Sequence, residues 1–384
     1  MSEPAAPAEL AELIDLSNRF GADPLFVRAG GGNSSVKADG VLWIKPSGVP
    51  LATLRDDDLV PLDRARLLAL LAHDPAALPH DGDPVMTVAA EARLAPAHGR
   101  RPSVELLFHA LLPERFVLHT HPILVNAVTC NSDGPALAAR LFGDRAVWVP
   151  YTDPGLPLAH AILGARAAHE TRTGRPAPAI TLLGNHGLIV GGDTAADVEV
   201  ETAWLVDVIE PELARHPADP LREVSPADRG TVTAIELGLG RPAAVFDADH
   251  LAASFAGTPA GRAFMAGGPL IPDQIVYTGS WPLVLDVVGE DPAQVSDIAR
   301  DAAAAFAARH GVAPIVAVVP GLGLVATGDS ESQADTARLL YLDMLRTGES
   351  ALRLGGVRHM SDPERTFIEQ WEAEAYRKQV AATG

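Results

Sequence analysis

The N-terminal half of the chain alternates between helical and strand-like spacing of apolar side chains. Leu10, Leu13 and Leu16 recur at every third position, which predicts a helix over residues 9–20 that ends at Gly21 as its C-terminal cap. A short apolar strand is predicted at 41–44, between turns rich in glycine and proline. Brief strands separated by such turns are typical of an α/β or α+β domain.

Two further helix–strand units follow, and each leads into a histidine. A predicted helix at 104–112 and a predicted strand at 115–118 run directly into His119. A second apolar strand at 180–183 leads in the same way to His186. Polar residues at the ends of buried strands are candidates for function, because the strand fixes their position.

A long helix at 194–212 is the last element predicted before a change in composition. Residues 217–226 are polar and hold three prolines, which indicates a domain linker. Ser225, Pro226 and Asp228 then have the order of an N-cap, a first-turn proline and an early acidic residue. The predicted domains are therefore 1–216 and 227–384.

The second half repeats part of the first half's pattern. Residues 187–194 (Gly-Leu-Ile-Val-Gly-Gly-Asp-Thr) align with 323–330 (Gly-Leu-Val-Ala-Thr-Gly-Asp-Ser) at an offset of 323 − 187 = 136. Residues 113–117 align with 272–276 at an offset of 272 − 113 = 159. Two matches in the same order predict a degenerate internal duplication.

Composition and charge narrow the classes of protein. The 384 residues are 47% hydrophobic, and the formal net charge of −19 argues against broad nucleic-acid binding. Cys130 is the single cysteine, so no internal disulfide can form and a reducing cytoplasm is expected. No apolar run reaches the ~18–20 residues of a membrane span, and residues 1–10 lack a signal-peptide pattern, so no membrane association is expected.

Four potential metal ligands lie at the ends of predicted elements. His119 and His121 are two residues apart on a strand, so both imidazoles can reach one ion. With His186 and Glu105 they form a set that suits Zn²⁺ or a similar divalent cation and leaves room for substrate oxygens. Taken singly, the residues also fit a polar turn, a helix-cap partner and a helix-dipole charge.

Two turns of small residues can bind an anion. Residues 31–34 and the pair Ser47–Gly48 can expose N–H groups and hydroxyls without obstruction by large side chains, which is how a phosphate is held. Ser103 adds a hydroxyl next to Glu105.

In their order along the chain, these segments resemble the class II aldolase/adducin family. The resemblance extends over about residues 10–215 and rests on five motifs: Gly-Gly-Asn-Ser (31–34), Ile-Lys-Pro-Ser-Gly (44–48), Pro-Ser-Val-Glu (102–105), His-Thr-His-Pro (119–122) and Asn-His-Gly-Leu (185–188). It implies a three-layer α/β domain with a central, mostly antiparallel sheet flanked by helices, followed by a smaller degenerate aldolase-like α/β domain.

The resemblance also implies a site. It makes Glu105, His119, His121 and His186 the ligands of a divalent metal, with Zn²⁺ expected first and Mn²⁺, Co²⁺ or Fe²⁺ as alternatives. From the chemistry of retro-aldol cleavage, our hypothesis is that Glu105 also carries out the catalytic proton transfer. The family's contacts to the substrate phosphate fall on Gly32, Asn33, Ser47, Gly48 and Ser103. The implied partners are a small sugar phosphate and further copies of the chain, in a homo-oligomer (dimer or tetramer).

The second half is similar to the aldolase part of bifunctional rhamnulose-1-phosphate aldolase/dehydrogenases. The similarity lies in residues 267–276, 320–324 and 367–371. Those proteins continue into a short-chain dehydrogenase domain, whereas this sequence ends at Gly384, so we expect aldolase activity without dehydrogenase activity.

Two positions depart from the family pattern. Val104 stands where many smaller members have a second serine, which removes one phosphate contact. Some members use a tyrosine of a neighbouring subunit as general acid, and Tyr151 does not match that position. The resemblance therefore assigns no proton donor of this kind.

The expected reaction is metal-dependent cleavage or formation of a C–C bond in a ketose 1-phosphate of the rhamnulose or fuculose type, with dihydroxyacetone phosphate and a small aldehyde as the fragments. The same ligands also fit an epimerase, dehydratase or decarboxylase on a related sugar acid or sugar phosphate, or an oxygenase with redox-active iron. A non-catalytic, adducin-like interaction module is the alternative of a different class, and it predicts loss of the ligands that this sequence retains.

The second domain is expected to be non-catalytic, with a structural or assembly role. The two offsets place residues that are not metal ligands opposite all four ligands: Leu322 opposite His186, Thr278 opposite His119, Ser280 opposite His121 and Phe264 opposite Glu105.

Overall fold

The computed structural model describes residues 7–73, 84–94, 100–218 and 228–371. The chain divides into two compact units, Met1–Arg215 and His216–Gly384. Most of the predicted linker lies outside the described residues, as do the expected N-cap Ser225 and first-turn Pro226. Asp228 itself is the N-cap of the next helix and accepts a hydrogen bond from the Thr231 amide.

The first unit alternates helices and strands. Its helices are α1 (Glu9–Ala22), α2 (Arg64–Leu70), α3 (Pro84–Ala92), α4 (Leu106–Leu111), α5 (Ile123–Thr129), α6 (Gly134–Phe142), α7 (Leu156–Thr173) and α8 (Ala195–Ala214). Its strands are β1 (Asn33–Ala38), β2 (Val41–Ile44), β3 (Val60–Asp63), β4 (Phe116–Thr120), β5 (Ala146–Val149), β6 (Ile180–Leu183) and β7 (Gly187–Gly192).

Within the described part of this unit the seven strands form one sheet in the order β3-β2-β1-β4-β7-β6-β5. Neighbours are antiparallel except β5 and β6, which are parallel. Helices α1, α5, α6 and α8 pack together as one group and α2, α3, α4 and α7 as another, with the sheet between them. The predicted three-layer domain with a mostly antiparallel central sheet is therefore confirmed.

Apolar side chains from both helices and strands fill the space beside the sheet. Phe108 of α4, Val117 of β4, Ile162 of α7 and Ile189 of β7 belong to one buried cluster. Burying a side chain of this size contributes roughly 1.5–3 kcal/mol relative to leaving it in water. This cluster holds the middle strand, β4, in place.

Local sequence signals predicted the bounds of two strands and the approximate position of several other elements. Strands β2 and β6 have the predicted bounds, and α8 begins after Thr194, whose side chain forms a reciprocal capping box with Asp197. The predicted end of the first helix at Gly21 is wrong, because α1 continues to Ala22. Glycine is required at 21 because a Cβ there would come within 2.1 Å of the backbone nitrogen of Ala52.

The second unit has a smaller α/β core. Its helices are α9 (Arg229–Leu239), α10 (His250–Phe255), α11 (Pro259–Ala266), α12 (Pro272–Thr278), α13 (Pro292–His310), α14 (Glu331–Arg353) and α15 (Asp362–Gln370), and its strands are β8 (Ala243–Asp247), β9 (Leu283–Val284), β10 (Val316–Val319) and β11 (Gly323–Gly328). Where this unit is described, the four strands form a sheet in the order β8-β11-β10-β9.

The sheet of the second unit repeats four strands of the first. The row β8-β11-β10-β9 has the same sequence of antiparallel, antiparallel and parallel pairings as β4-β7-β6-β5. The backbone agrees in detail at the offset of 136, since Asn185 and Gly321 both adopt a left-handed conformation, with φ of 50° and 82°. The internal duplication expected from the first alignment is therefore present in the fold.

The second alignment, of residues 113–117 with 272–276, is wrong. Pro113–Val117 leads into strand β4, whereas Pro272 is the first-turn proline of helix α12. The strand that corresponds to β4 is β8. A proline followed by two polar and two apolar residues is too short a pattern to distinguish a strand from a helix.

The register of the strands corrects the residues that were placed opposite the histidines. His119 pairs with Ile189 and Phe246 pairs with Val325, and these partners are again 136 residues apart (325 − 189). Phe246, not Thr278, therefore corresponds to His119, and Ala248, not Ser280, corresponds to His121. The correspondence of Leu322 to His186, at the offset of 136, is unchanged. Phe264 is no counterpart of Glu105, because α11 follows β8 whereas Glu105 precedes β4.

One glycine in each unit permits a close approach between neighbouring strands. A Cβ on Gly187 would lie 2.5 Å from the carbonyl oxygen of Thr120, and a Cβ on Gly323 would lie 2.1 Å from that of Asp247. Thr120 and Asp247 occupy equivalent positions in β4 and β8. Gly187 is thus required by the space between strands, and Gly323 is required both by that space and by its φ of 138°.

Gly187→Ala is therefore expected to lower the free energy of unfolding by about 1–3 kcal/mol, the usual cost of forcing an added methyl into a filled site. Chemical denaturation of the purified protein measures this change. Gly164→Ala is the matched control, because Gly164 lies exposed in α7 and a Cβ added there would meet no atom within 4 Å. The control is expected to be neutral or stabilising by up to about 1 kcal/mol. Equal stability of the two variants would contradict the close approach.

Of the helices in the described ranges, none combines the length and the apolar character that crossing a bilayer requires.

Candidate metal centre

The candidate ligands come from the ends of neighbouring strands in the middle of the seven-stranded sheet. His119 lies in β4, the central strand, where it pairs with Asn33 of β1 on one side and Ile189 of β7 on the other. His121 follows the end of β4, and His186 directly precedes β7. The imidazole of His186 is thereby brought next to those of His119 and His121, where β4 ends and β7 begins.

The three histidines form a compact cluster. One ring nitrogen from each of His119, His121 and His186 lies within 4.8 Å of the others. The Nε2 atoms of His119 and His121 are 3.0 Å apart, and the ring centroids of His119 and His186 are 5.0 Å apart. His119 is fully buried, whereas His121 is only partly buried, so the cluster is open on the side of His121.

Glu105 completes the cluster from the start of α4, where it occupies the N-cap position. Its Oε1 lies 3.2 Å from His186 Nε2, and its Oε2 lies 3.4 Å from His119 Nε2. The Asn33 side-chain amide donates a hydrogen bond of 2.7 Å to Oε2. Oε1 is buried and accepts no hydrogen bond from any described residue.

Hydrogen bonding fixes which nitrogen of His119 is available to a ligand. Its Nδ1 lies 2.9 Å from the carbonyl oxygen of Leu188, and a carbonyl can only accept, so Nδ1 carries the proton. The lone pair is then on Nε2, which faces the cluster. Burial lowers the pKa of His119 to about 3, so the ring is neutral near pH 7 and its lone pair is free.

The ionisation of Glu105 favours a cation at the same place. Burial acts to raise the pKa of this carboxyl group, but the adjacent His119 and His186 rings outweigh burial and hold the pKa below its ordinary value. The cluster therefore combines an ionised carboxylate with a neutral imidazole whose lone pair points inwards.

The donor set fits a divalent metal ion. Two imidazole nitrogens at 3.0 Å match the separation of about 3.3 Å expected for tetrahedral ligands with metal–nitrogen bonds of about 2.0–2.1 Å. A buried carboxylate oxygen without a hydrogen bond is costly unless a cation satisfies it. His119, His121, His186 and Glu105 are therefore the residues that could hold the ion.

The two small-residue turns predicted to bind phosphate lie close to this cluster. The Ser47 amide donates to the Arg101 carbonyl, and the Ser103 amide donates to the Lys45 carbonyl, so the turn at 45–48 packs along the segment that leads to Glu105. Ser103 Oγ accepts a hydrogen bond of 3.3 Å from the Glu105 amide. Ser47 and Gly48 are half-buried and hence accessible to a ligand.

Gly32 and Asn33, at the start of β1, also adjoin the cluster. Gly32 has a φ of 64°, and a Cβ there would lie 2.7 Å from the His119 carbonyl oxygen. Asn33 is buried, and its side-chain amide is engaged by Glu105 and by His109. Contact of these two residues with a phosphate stays a prediction, because the structure directs the Asn33 amide at protein groups.

Sequence reasoning gave no role to several buried polar residues at the site. His109 and Ser35 form a hydrogen-bonded chain with Asn33, and the Lys45 ammonium group is buried and donates to the Val49 carbonyl at 2.6 Å. The signal for His109 was its position four residues after Glu105, which brings both to one side of a helix start. The signal for Ser35 was its two-residue spacing from Asn33 on a strand.

With this fold and site, the chain belongs to the class II aldolase and adducin family. The model of the class II aldolase and adducin N-terminal domain matches residues 11–211. The model of the second domain of class II aldolases matches residues 220–377. The family expected from the five motifs is thereby confirmed.

The chain is similar to proteins of several organisms. The Bacillus subtilis (strain 168) protein named uncharacterized oxidoreductase YuxG is 26% identical over an alignment 427 residues long. The alignment covers 99% of this chain and 60% of that protein. This chain thus spans 60% of the length of the curated relative it matches.

One similar solved structure is the N-terminal class II aldolase domain of a conserved protein from Thermoplasma acidophilum. It is 26% identical, with a TM-score of 0.46, and the match covers 56% of this chain and 97% of that one. L-fuculose-1-phosphate aldolase from Thermus thermophilus is 18% identical, with a TM-score of 0.36, and the match covers 54% of this chain and 95% of that one.

Proposed function

We propose that this chain is a divalent-metal-dependent aldehyde-lyase. Its substrate is a ketose 1-phosphate of the fuculose or rhamnulose type, which it cleaves to dihydroxyacetone phosphate and a small aldehyde or forms from them. The observation that carries this proposal is the convergence of His119, His121, His186 and Glu105 in one cluster. Membership of the class II aldolase and adducin family supports the reaction class.

The proposed metal ligands are the three histidines and Glu105. Nitrogen and carboxylate donors suit Zn²⁺ first, and Mn²⁺, Co²⁺ and Fe²⁺ also accept them. Such an ion supplies a Lewis acid for the negative charge that develops on the substrate oxygens when the C–C bond breaks. Imidazole ligands carry no charge, so they would leave the ion more electrophilic than thiolate ligands would.

Glu105 is the proposed proton-transfer residue. Retro-aldol cleavage requires a base to remove the proton of the hydroxyl group whose oxygen becomes the aldehyde carbonyl, and the carbon that leaves must then be protonated. The ionised carboxylate of Glu105 is in the basic form, and its Oε1 accepts no hydrogen bond from the described residues. This oxygen could take a proton and return it once substrate oxygens had replaced the carboxylate at the ion.

The two turns are the proposed phosphate site. A chain with a net charge of −19 cannot attract an anion by its overall field, so local N–H groups and hydroxyls must hold the phosphate. Backbone hydrogen bonds join the segment of Ser47 and Gly48 to that of Ser103, and Ser103 and Asn33 each form a hydrogen bond with Glu105. The Lys45 ammonium group donates a hydrogen bond to the Val49 carbonyl and so closes the turn that contains Ser47 and Gly48.

The second unit is proposed to be a degenerate, non-catalytic copy. Phe246, Ala248 and Leu322 occupy the positions of His119, His121 and His186, and none of the three can bind a metal ion through its side chain. We propose that it serves assembly of a cytoplasmic homo-oligomer, a dimer or a tetramer.

The proposed function is tested by incubating the purified, zinc-loaded protein with ketose 1-phosphates of both stereochemical types. The expected result is release of dihydroxyacetone phosphate, which a coupled reduction assay measures. Mass analysis of the products separates the competing reactions. A product with an intact carbon skeleton would instead assign an epimerase, loss of water a dehydratase, and loss of carbon dioxide a decarboxylase, and each of these would contradict the aldolase assignment.

A further inference from the structure

A chain of buried polar side chains extends from the candidate metal centre into the interior of the first unit. Its members are Glu105, Asn33, His109 and Ser35. Asn33 and Ser35 lie on the same face of β1, and His109 projects between them from α4. His109 and Ser35 are fully buried, and Asn33 is 4% exposed. Burying a histidine in such a place is costly unless its polar atoms are paired, so its contacts require an explanation.

Both ring nitrogens of His109 are engaged. Nδ1 lies 2.7 Å from Ser35 Oγ, and Nε2 is hydrogen-bonded to Asn33 Oδ1. The Asn33 amide nitrogen in turn donates to Glu105 Oε2 at 2.7 Å. His109 therefore reaches Glu105 through Asn33.

The direction of every bond in this chain follows from the ionised carboxylate at its end. An ionised carboxylate can only accept, so Asn33 must present its NH₂ group to Glu105 and its oxygen to His109. That oxygen can only accept, so His109 carries its proton on Nε2. In a neutral ring Nδ1 is then an acceptor, and Ser35 donates its hydroxyl proton to it. Burial, the largest influence, holds the pKa of His109 well below its ordinary value, which keeps the ring neutral.

We propose that His109 is a positioning residue that locks the Asn33 amide so that it donates to Glu105 Oε2 and leaves Oε1 as the oxygen directed at the cation. The inference rests on the proposed function, because it assumes a divalent ion at the three histidines. Asn33 acts here as a clamp on the carboxylate.

Removing the His109 side chain should change the orientation of the Asn33 amide. An asparagine amide can rotate by half a turn with little change in shape, and the two orientations differ only in which group faces the carboxylate. Without the Nε2 proton of His109, the Asn33 oxygen loses its donor, so only Glu105 itself still favours the original orientation and the rotated one becomes more populated. In the rotated one an amide oxygen faces an ionised carboxylate and repels it, so Glu105 is no longer held at the cation.

The test is the affinity of the metal-free protein for Zn²⁺, measured by competition with a chromophoric chelator. His109→Leu is expected to bind Zn²⁺ about 10–100-fold more weakly than the unchanged protein, the usual effect of removing a residue that orients a ligand. His109→Gln is expected to restore most of the affinity, because the glutamine amide can donate to Asn33 in place of Nε2. His169→Leu is the matched control, since His169 is a buried histidine of the same unit on α7, 6% exposed, and should bind Zn²⁺ normally.

A double substitution separates positioning from a general loss of stability. In an Asn33→Ala background, His109→Leu should cause no further loss of Zn²⁺ affinity, because the residue it acts through is gone. Additive losses, or normal Zn²⁺ affinity in His109→Leu, would overturn the inference while leaving the proposed function intact. Failure of the unchanged protein to bind Zn²⁺ would overturn both.

Discussion

Replacing His186 by alanine is expected to weaken metal binding by at least about a thousandfold and to abolish turnover at ordinary metal concentrations, because one of the direct ligands is lost. The fold should survive this change. His186 lies just beyond the end of β6 and not inside a strand, and its Nδ1 has no hydrogen-bond partner within the described ranges. Metal content after gel filtration and the rate of substrate cleavage measure the two effects.

His169→Ala is the matched control for this experiment. His169 and His186 are buried to nearly the same extent, with 6% and 5% exposure, and both lie in the first unit. The control should keep its metal and its turnover. Retention of the metal by His186→Ala, or equal losses in both variants, would show that the three-histidine cluster is not the metal site.

Replacing Glu105 by glutamine is expected to lower turnover by about 10²–10⁴-fold at saturating metal, the usual contribution of a positioned acid–base group. Glutamine keeps the size of the side chain, so the three histidines can still hold the ion, although less tightly. The expected signature is a protein that binds metal and substrate but cleaves the substrate slowly. Turnover at saturating metal, compared with the dissociation constant of the substrate, distinguishes this from a binding defect.

Glu212→Gln is the matched control for the carboxylate. Glu212 is also a buried glutamate of the first unit, 6% exposed, but it forms ion pairs with Arg140 and Arg215. Its replacement should leave turnover unchanged. Full turnover in Glu105→Gln would rule out the assignment of proton transfer to this residue.

The elements that the sequence predicted well carry strong local signals. The strand at Ile180–Leu183 is apolar except for Thr181 and is followed by Gly184. Helix α8 begins at a capping box that is readable from Thr194 and Asp197 alone. The histidine pair was informative for the same reason, because two-residue spacing on a strand fixes a shared direction. These signals depend on neighbours in sequence and need no tertiary structure.

The predictions that failed needed long-range information. Gly21 has the local features of a helix end, but the space it provides is for the backbone at Ala52, which is distant in sequence. The segment at Pro272 has the same short apolar pattern as a strand, and only the pairing of β8 with β11 reveals which strand corresponds to β4. The spacing of His109 from Glu105 indicates only that both lie near one helix start, whereas the role of His109 depends on Asn33 and Ser35 from a different element.

The duplication clarifies how the site depends on the sheet. The second unit keeps the strand order, the left-handed turn at Gly321 and the tight approach at Gly323, yet it carries Phe246 and Leu322 where the first unit has histidines. The backbone arrangement thus persists without the ligands. Chemistry in the first unit therefore depends on a few side chains placed on a scaffold that is stable without them.

The most direct test of the account is the dependence of cleavage on metal occupancy. The purified protein is stripped with a chelator, and Zn²⁺ is added back stepwise while release of dihydroxyacetone phosphate from a ketose 1-phosphate is followed. The account predicts no cleavage by the stripped protein and full recovery at one metal ion per chain. Undiminished cleavage by the stripped protein, or no cleavage at full occupancy, would contradict it.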